Sequence, residues 1–407
     1  MRNQIIQGSV LDAATWAEIP DQHCQTCITS PPYWGLRDYG VEGQLGLEKT
    51  PEEFVARMVE VFRHVRRVLR DDGTVWLNLG DSYASGKGTC YNPGGGSTSL
   101  GQHRKAEGAH PIDRGNKSTL ALSGLKPKDL CGIPWRVALA LQADGWYLRQ
   151  DIIWHKPNPM PESVRDRCTK SHEYLFLLTK KPRYYCDMEA IKEPSQANEA
   201  SRVRSKYGRY DAGTGDAKRD SRTGKPDYLQ AKGNDYGGGT RNKRSVWTVA
   251  TAPYKEAHFA TFPPKLIEPC VLAGTSEKGC CPECGKPWVR VVERTVTFQS
   301  GSGKSGNPIA GKNGSECQGG GDTGDIRKGP CVSSVITSWG AQCKCGPDGE
   351  HSPIPIPCIV FDPFMGSGTT GMVARQNGCD YLGIELNPEY IDLIEKRIGV
   401  VEMPMFR

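Results

Sequence analysis

The chain has 407 residues, enough to bury one large core or two modest ones, so its stability does not call for covalent staples. A formal net charge of +6 suits a polyanionic partner without demanding one, and no apolar run approaches the length of a membrane span. The stretch from Met1 to Gln7 lacks the apolar core of a secretory signal, so the expected compartment is the cytoplasm, where 16 cysteines read better as buried thiols and metal ligands than as a disulfide framework.

After Gly8-Ser9-Val10-Leu11-Asp12, the apolar run from Cys24 to Ile28 reads as a buried strand. Pro31-Pro32 stops it, because proline cannot donate to a sheet ladder, and Thr29-Ser30-Pro31-Pro32-Tyr33-Trp34 therefore sits at a strand's carboxyl end. Pro51 to Leu69 carries Phe54, Met58, Val61, Phe62, Val65 and Leu69 at helical spacing behind a proline suited to a first turn. Thr74 to Leu79 is the next strand, Ile133 to Ala143 a helix, and Tyr147 to Trp154 and Tyr174 to Thr179 are further strands. Near the far end, strand Cys358 to Phe361, helix Thr369 to Asn377 and strand Tyr381 to Leu386 make a βαβ unit. This rhythm predicts an α/β fold, Rossmann-like, with a mostly parallel sheet, helices on both faces and ligands at the carboxyl edge of the strands.

Three stretches interrupt it: Ser85 to Gly124, Ser195 to Arg244 and Gln299 to Gly329, each too long for an ordinary connection. The last reads as a glycine-rich loop. In the second, cations that include Arg202, Arg204, Lys206 and Arg209 alternate with Tyr207, Tyr210, Tyr228 and Tyr236, which suits DNA phosphate contacts and stacking; a solvated loop is the competing reading. Cys281-Pro282-Glu283-Cys284-Gly285 is a zinc-ribbon-like knuckle, and Cys343-Lys344-Cys345-Gly346 supplies a second pair for a tetrahedral thiolate site of structural type. Cys280, Cys317 and Cys331 are rival ligands, and unliganded thiols are the plain alternative.

In Val360-Phe361-Asp362-Pro363-Phe364-Met365-Gly366-Ser367-Gly368-Thr369-Thr370 the glycines allow a tight strand-to-helix turn close to a ligand. The loop is shorter than a phosphate-binding loop and lacks its Lys-Ser/Thr ending, which disfavours ATP or GTP. A dinucleotide-dependent oxidoreductase would share the turn but leaves Ser30-Pro31-Pro32-Tyr33 unexplained. The two strings in this order, with Gly8 to Asp12 before the first, His258 to Ile267 before the second and Tyr381 to Pro388 after it, resemble the β group of DNA amino-methyltransferases that use S-adenosylmethionine (SAM).

The resemblance implies the SAM-dependent methyltransferase version of the fold with loop-rich insertions: a catalytic half at 1–194, a target recognition region at 195–257, a cofactor half at 258–278 and 358–407, and an inserted segment at 279–357. It implies methyl transfer from SAM to an exocyclic amino group of a base rotated out of double-stranded DNA. Ser30 at the head of the motif favours N4 of cytosine, since adenine-modifying relatives more often carry Asp or Asn there; N6 of adenine is the runner-up. The amino lone pair is delocalised into the ring, so catalysis needs positioned acceptors for its protons: Ser30 and the Pro31 carbonyl, held by Pro32, with Tyr33 stacking on the base. Asp362, Pro363, Phe364, Gly366, Ser367, Gly368 and Thr369 would hold the cofactor, with Asp362 near its methionine end, Glu385 on the ribose hydroxyls and Phe262 over the methionine moiety. Asp81 and the run Trp154 to Pro161 match the rim of the base pocket. Ser9 departs from the acidic residue usual at that position, with Asp12 the nearest acid. That departure would suit a reading of another class, an inactive nucleic-acid-binding protein. A cognate restriction nuclease is the implied companion, and oligomeric state is left open.

Overall fold

Short apolar runs ending at proline or glycine build the middle of an eight-stranded sheet in a computed structural model, which describes residues 1–36, 40–84, 90–91, 124–194, 240–252, 262–297, 331–345 and 354–401. In chain order the main strands are β1 (Gln4–Gln7), β2 (Cys24–Thr29), β3 (Leu69–Leu79), β4 (Tyr147–His155), β5 (His172–Thr179), β6 (Val246–Thr248), β7 (Trp288–Thr297), β8 (Cys331–Ala341), β9 (Ile359–Asp362) and β10 (Asp380–Glu385). The helices are α1 (Ala13–Ala17), α2 (Pro51–Val68), α3 (Ile133–Ala143), α4 (Pro264–Gly274), α5 (Thr369–Gln376) and α6 (Pro388–Gly399). The large sheet has the order β1-β10-β9-β2-β3-β5-β4-β6, and β7 with β8 forms a separate antiparallel hairpin. Neighbours in the large sheet run parallel, except that β5 is antiparallel to both β3 and β4.

Every residue of β2, β9 and β10 is buried, the pattern of parallel strands covered on both faces. Alternation along β2 shows the two layers. Thr26 faces Gly274 of α4, where an added Cβ would fall 2.6 Å from the Thr26 hydroxyl, while Cys27 lies in the apolar cluster with Phe54, Val61 and Phe62 of α2 and Val137 and Leu141 of α3. α1 joins the α2 face through Trp16, which stacks on His64 and meets Phe361 edge-on.

α2 starts with Thr50 accepting a hydrogen bond from the Glu53 amide and Pro51 in the first turn. It ends at Val68, one residue before the sequence reading, because Leu69 is already extended and pairs with Cys24; β3 therefore begins at Leu69 and not at Thr74. β1, β6 and the β7–β8 hairpin escape the periodicity reading as well. β1 and β6 are short, with exposed residues along them, and so present no continuous apolar run.

The chain divides into two compact units, Met1–Glu277 with Pro357–Phe406, and Lys278–Ile356. Most of the three irregular stretches, including Arg202, Arg204, Lys206 and Arg209, lies outside the described residues. At the end of the second stretch, Arg241 and Arg244 both pair with Glu193, at 2.8 and 2.7 Å, and Lys243 lies over the Trp247 ring. Among the described residues no helix is long and apolar enough to cross a membrane.

Phe62 is fully buried and packs edge-on against Trp146 at 6.4 Å. Phe62→Ala should lower the unfolding free energy by about 3–5 kcal/mol in a denaturant titration. A loss under about 1 kcal/mol would mean that the α2 face collapses around the gap.

Candidate active site

Parallel pairing aligns the carboxyl ends of β1, β10, β9 and β2 along one edge of the sheet, with Gln7 opposite Glu385, Asp362 opposite Gly383 and Phe361 opposite Cys27. The segments leaving those ends enclose a cleft of about 160 Å³. Ser30, Pro32, Phe262, Pro363, Phe364, Gly366, Ser367, Thr369 and Glu385 all line it, so the strings at opposite ends of the chain share one cavity. Residues not singled out by sequence also reach it, among them Leu45 on a loop and Tyr390 and Leu393 on the amphipathic α6.

The turn from β9 to α5 depends on two glycines in the left-handed region, Gly366 (φ 52°) and Gly368 (φ 76°). At Gly368 a Cβ would also approach Ile394 to 2.7 Å. Arg397 of α6 braces the turn from behind, donating to the Ser367 carbonyl, the Ser367 hydroxyl and the Thr369 hydroxyl at 3.0, 2.8 and 2.9 Å.

Glu385, 8% exposed, accepts the Gly366 amide at 2.7 Å on one oxygen and the Asn387 amide at 2.8 Å on the other. Burial pushes its carboxyl up to about 7 against those two donors, and the nearby negative charge of Asp362 adds to the shift. Asp362, 1% exposed, does not line the cleft. Its carboxylate accepts from the Thr29 hydroxyl (2.6 Å), the Phe364 amide (3.0 Å) and the Thr370 hydroxyl (2.6 Å), and burial raises it to about 6. Asp362 thus lies behind the loop, tying the end of β2 to the start of α5.

Two more acids turn out to be local caps. Asp81 accepts the Gly132 and Ile133 amides at 3.1 and 3.0 Å, closing the start of α3, and Asp12 accepts the Ala14 amide at 3.0 Å at the start of α1. Ser9, at the position usually acidic, lines the cleft.

Pro31, Tyr33 and Gly368 are not among the cleft-lining residues. The Ser30 hydroxyl lies 3.4 Å from both the Tyr33 hydroxyl and Asn78 Oδ1, and the Tyr33 hydroxyl donates to Glu173 Oε2 at 2.7 Å. Glu173 is bonded in turn by Lys156, a residue of the rim run. Burial is the largest single influence and would raise the Glu173 carboxyl, but the charge and hydrogen bond of Lys156, the Tyr33 hydrogen bond and the charge of Lys170 together hold the group below its ordinary value. A single acid at a strand start carries no pattern, so nothing in the sequence marks Glu173.

In the second unit, the sulfurs of Cys281, Cys284, Cys343 and Cys345 lie within 4.8 Å of one another. The Glu283 and Cys284 amides point at the Cys281 sulfur, and Gly285 takes a left-handed φ of 68° just after the knuckle. Cys280 stands outside this group; its backbone pairs with Ile356. Cys317 lies outside the described residues.

A family model described as DNA methylase matches residues 24–281 and 358–396. The chain is 36% identical over 398 residues to the type II methyltransferase M.XycI of Xanthomonas campestris pv. cyanopsidis, covering 97% of this chain and 89% of that protein. It is 37% identical over 380 residues to the type II methyltransferase M.Cfr9I of Citrobacter freundii, covering 93% and 83%. A solved structure, the PvuII DNA methyltransferase (cytosine-N4-specific), aligns over 98% of this chain and 86% of its own at 13% identity, with a TM-score of 0.48.

The raised Glu385 carboxyl carries a stability signature. Its folded value of about 7 exceeds the ordinary one, so the folded state holds the proton more tightly; stability from this group is fullest below the ordinary carboxylate range and is lost as pH rises to about 7. Glu385→Gln should remove that component, so that its Tm gains on wild type between about pH 5 and about pH 8. Parallel Tm profiles for the two proteins would contradict the assignment.

Proposed function

The chain belongs to the DNA methylase family, and from that premise we propose that it transfers a methyl group from SAM to N4 of cytosine at a specific site in duplex DNA. The observation that carries this reading is the single cleft shared by Ser30 and the Glu385-anchored glycine turn. Type II relatives support the setting of a restriction-modification pair, with a nuclease for the same site as companion.

The cleft's donor set suits SAM. A nearly buried carboxylate at its floor disfavours phosphate but retains lone pairs for neutral ribose hydroxyls, and Val10, Leu45, Phe262 and Phe364 offer apolar surface. When bound, SAM supplies an electrophilic methyl group on a sulfonium. Glu385 accepts the ribose hydroxyls, the turn from Pro363 to Thr369 brings backbone close to the ligand, and Phe262 covers the methionine end. Ser30 Oγ and the Pro31 carbonyl would accept hydrogen bonds from the two amino hydrogens, drawing the nitrogen lone pair out of conjugation and toward the methyl group, and the one proton displaced on methylation would pass to solvent. Tyr33 provides the stacking face for the rotated-out base. Ser30 at the head of the motif supports cytosine over adenine.

The four clustered thiols we assign to one structural zinc ion. Tetrahedral Zn–S bonds of about 2.3 Å place sulfurs roughly 3.8 Å apart, a spacing this cluster reaches with small adjustments. Arg202, Arg204, Lys206 and Arg209 are proposed to contact DNA phosphates.

Ser30→Ala should leave SAM affinity nearly unchanged while lowering turnover on the order of 10²-fold, the size expected for one oriented hydrogen-bonding group needed in the transition state. Sequencing that distinguishes modified bases, applied to DNA from cells expressing the chain, should find N4-methylcytosine at one motif; N6-methyladenine there would select the runner-up, and no modification would defeat the reading.

Cys281→Ser combined with Cys284→Ser should abolish bound zinc and expose the stretch 279–346 to proteolysis, because structural zinc supplies folding free energy directly. Wild-type protein purified without chelators and free of zinc would rule the assignment out.

A further inference from the structure

Behind Ser30 a chain of hydrogen bonds has its direction set by the acid at its far end. Glu173, its side chain 13% exposed, is bonded by Lys156 and accepts the Tyr33 hydroxyl at 2.7 Å. Asn78 donates through Nδ2 to the Tyr174 carbonyl at 3.0 Å and to Glu173 Oε2 at 3.3 Å. Those two bonds turn its Oδ1, a pure acceptor, toward Tyr33 at 3.1 Å and Ser30 at 3.4 Å. Gly80 makes room for the arrangement: a Cβ there would fall 2.6 Å from Tyr33 Cε2 and 3.4 Å from the Glu173 carboxyl carbon.

Proton counting then leaves little choice. An ionised carboxylate only accepts, so Tyr33 spends its single proton on Glu173, the charge-assisted and shorter bond. With Asn78 presenting oxygen, the Ser30 proton goes inward, to Asn78 Oδ1 or to the Tyr33 oxygen. Ser30, a residue of the cleft lining, is left with the lone pairs of its oxygen to offer.

We infer that Glu173 is a positioning residue that sets the polarity of this chain, so that Ser30 meets the target amino group as a hydrogen-bond acceptor. The inference rests on the reading of Ser30 under the proposed function and adds what makes a hydroxyl, which can donate or accept, do only one of them. In Glu173→Gln the amide nitrogen can donate to the Tyr33 oxygen. Tyr33 then turns its proton toward Asn78 Oδ1, where at 3.1 Å it competes with the Ser30 proton at 3.4 Å, so the Ser30 hydroxyl is no longer held inward and is free to point its proton into the cleft, where it opposes the amino hydrogens.

The test measures turnover, DNA KM, SAM affinity by calorimetry and Tm for the full chain carrying Glu173→Gln, Ser30→Ala or both. Glu173→Gln should lower kcat by about 10- to 10²-fold with KM and SAM affinity changed less than about twofold. In the Ser30→Ala background it should cause little further loss, because no serine oxygen remains to be oriented. Unchanged kcat in Glu173→Gln, losses that multiply in the double variant, or Tm and SAM affinity falling in step with kcat would each overturn the inference. If Ser30→Ala itself keeps full turnover, the reading of Ser30 fails instead. Should Glu173→Gln misfold because Lys156 loses its partner, Glu173→Gln with Lys156→Met removes both charges and is judged by the same criteria.

Discussion

The parallel pairing of β2 with β9 is the constraint on which the rest of this molecule depends. It sets Thr26 and Cys27 against Val360 and Phe361, and its far end is fastened by the Thr29 hydroxyl donating to Asp362, 333 positions later in the chain. Without that pairing the Ser-Pro-Pro-Tyr strand end and the glycine turn would be unrelated loops. With it, both leave the same edge of the sheet and meet in one cleft. The three hydrogen bonds of Asp362 join β2, the loop and α5 into one corner.

Three carboxylates, two buried and one partly buried, behave differently for reasons visible in their partners. Asp362 has only neutral donors, so burial prevails and its carboxyl rises to about 6. Glu385 has two backbone amides and a like charge nearby, and rises further, to about 7. Glu173, its side chain 13% exposed, is less enclosed, and the charge and hydrogen bond of Lys156, with the Tyr33 hydrogen bond and the Lys170 charge, reverse the effect of its burial. An ionised acceptor behind Ser30 and a carboxylate poised near neutrality on the cleft floor are different tools. The first holds a fixed charge beside its partners, while the second lies where small changes in its surroundings move its proton.

The parts of the fold legible in sequence were those written in backbone periodicity. The apolar run of β2, the helical spacing in α2 and the β9-α5-β10 unit each follow from residues within one element, and each falls within a residue or two of its expected place. Carboxylates were harder to read. Asp12, Asp81 and Asp362 all stood near recognisable motifs, but two cap helices and the third ties strands, because a carboxylate's role is decided by whichever donors the fold brings to it. Glu173 shows the converse, an acid without a motif whose partners Tyr33, Asn78 and Lys156 come from three separate segments. No window of sequence contains that network.

The segment between α4 and β9 shows how a large glycine-rich excursion is tolerated inside such a constrained sheet. Cys280 and Ile356 exchange a pair of backbone hydrogen bonds, 2.8 and 2.9 Å, so the chain leaves and returns at almost one point. Once its ends are pinched, the length of what lies between costs only a slowly growing closure entropy, and its internal order becomes the business of its own hairpin and thiol cluster. The DNA methylase match stops at residue 281 and resumes at 358, within two residues of the bridged Cys280 and Ile356. A bridge of two backbone bonds needs no particular side chains, which explains why a segment can be carried there without altering the register that aligns β9 with β2.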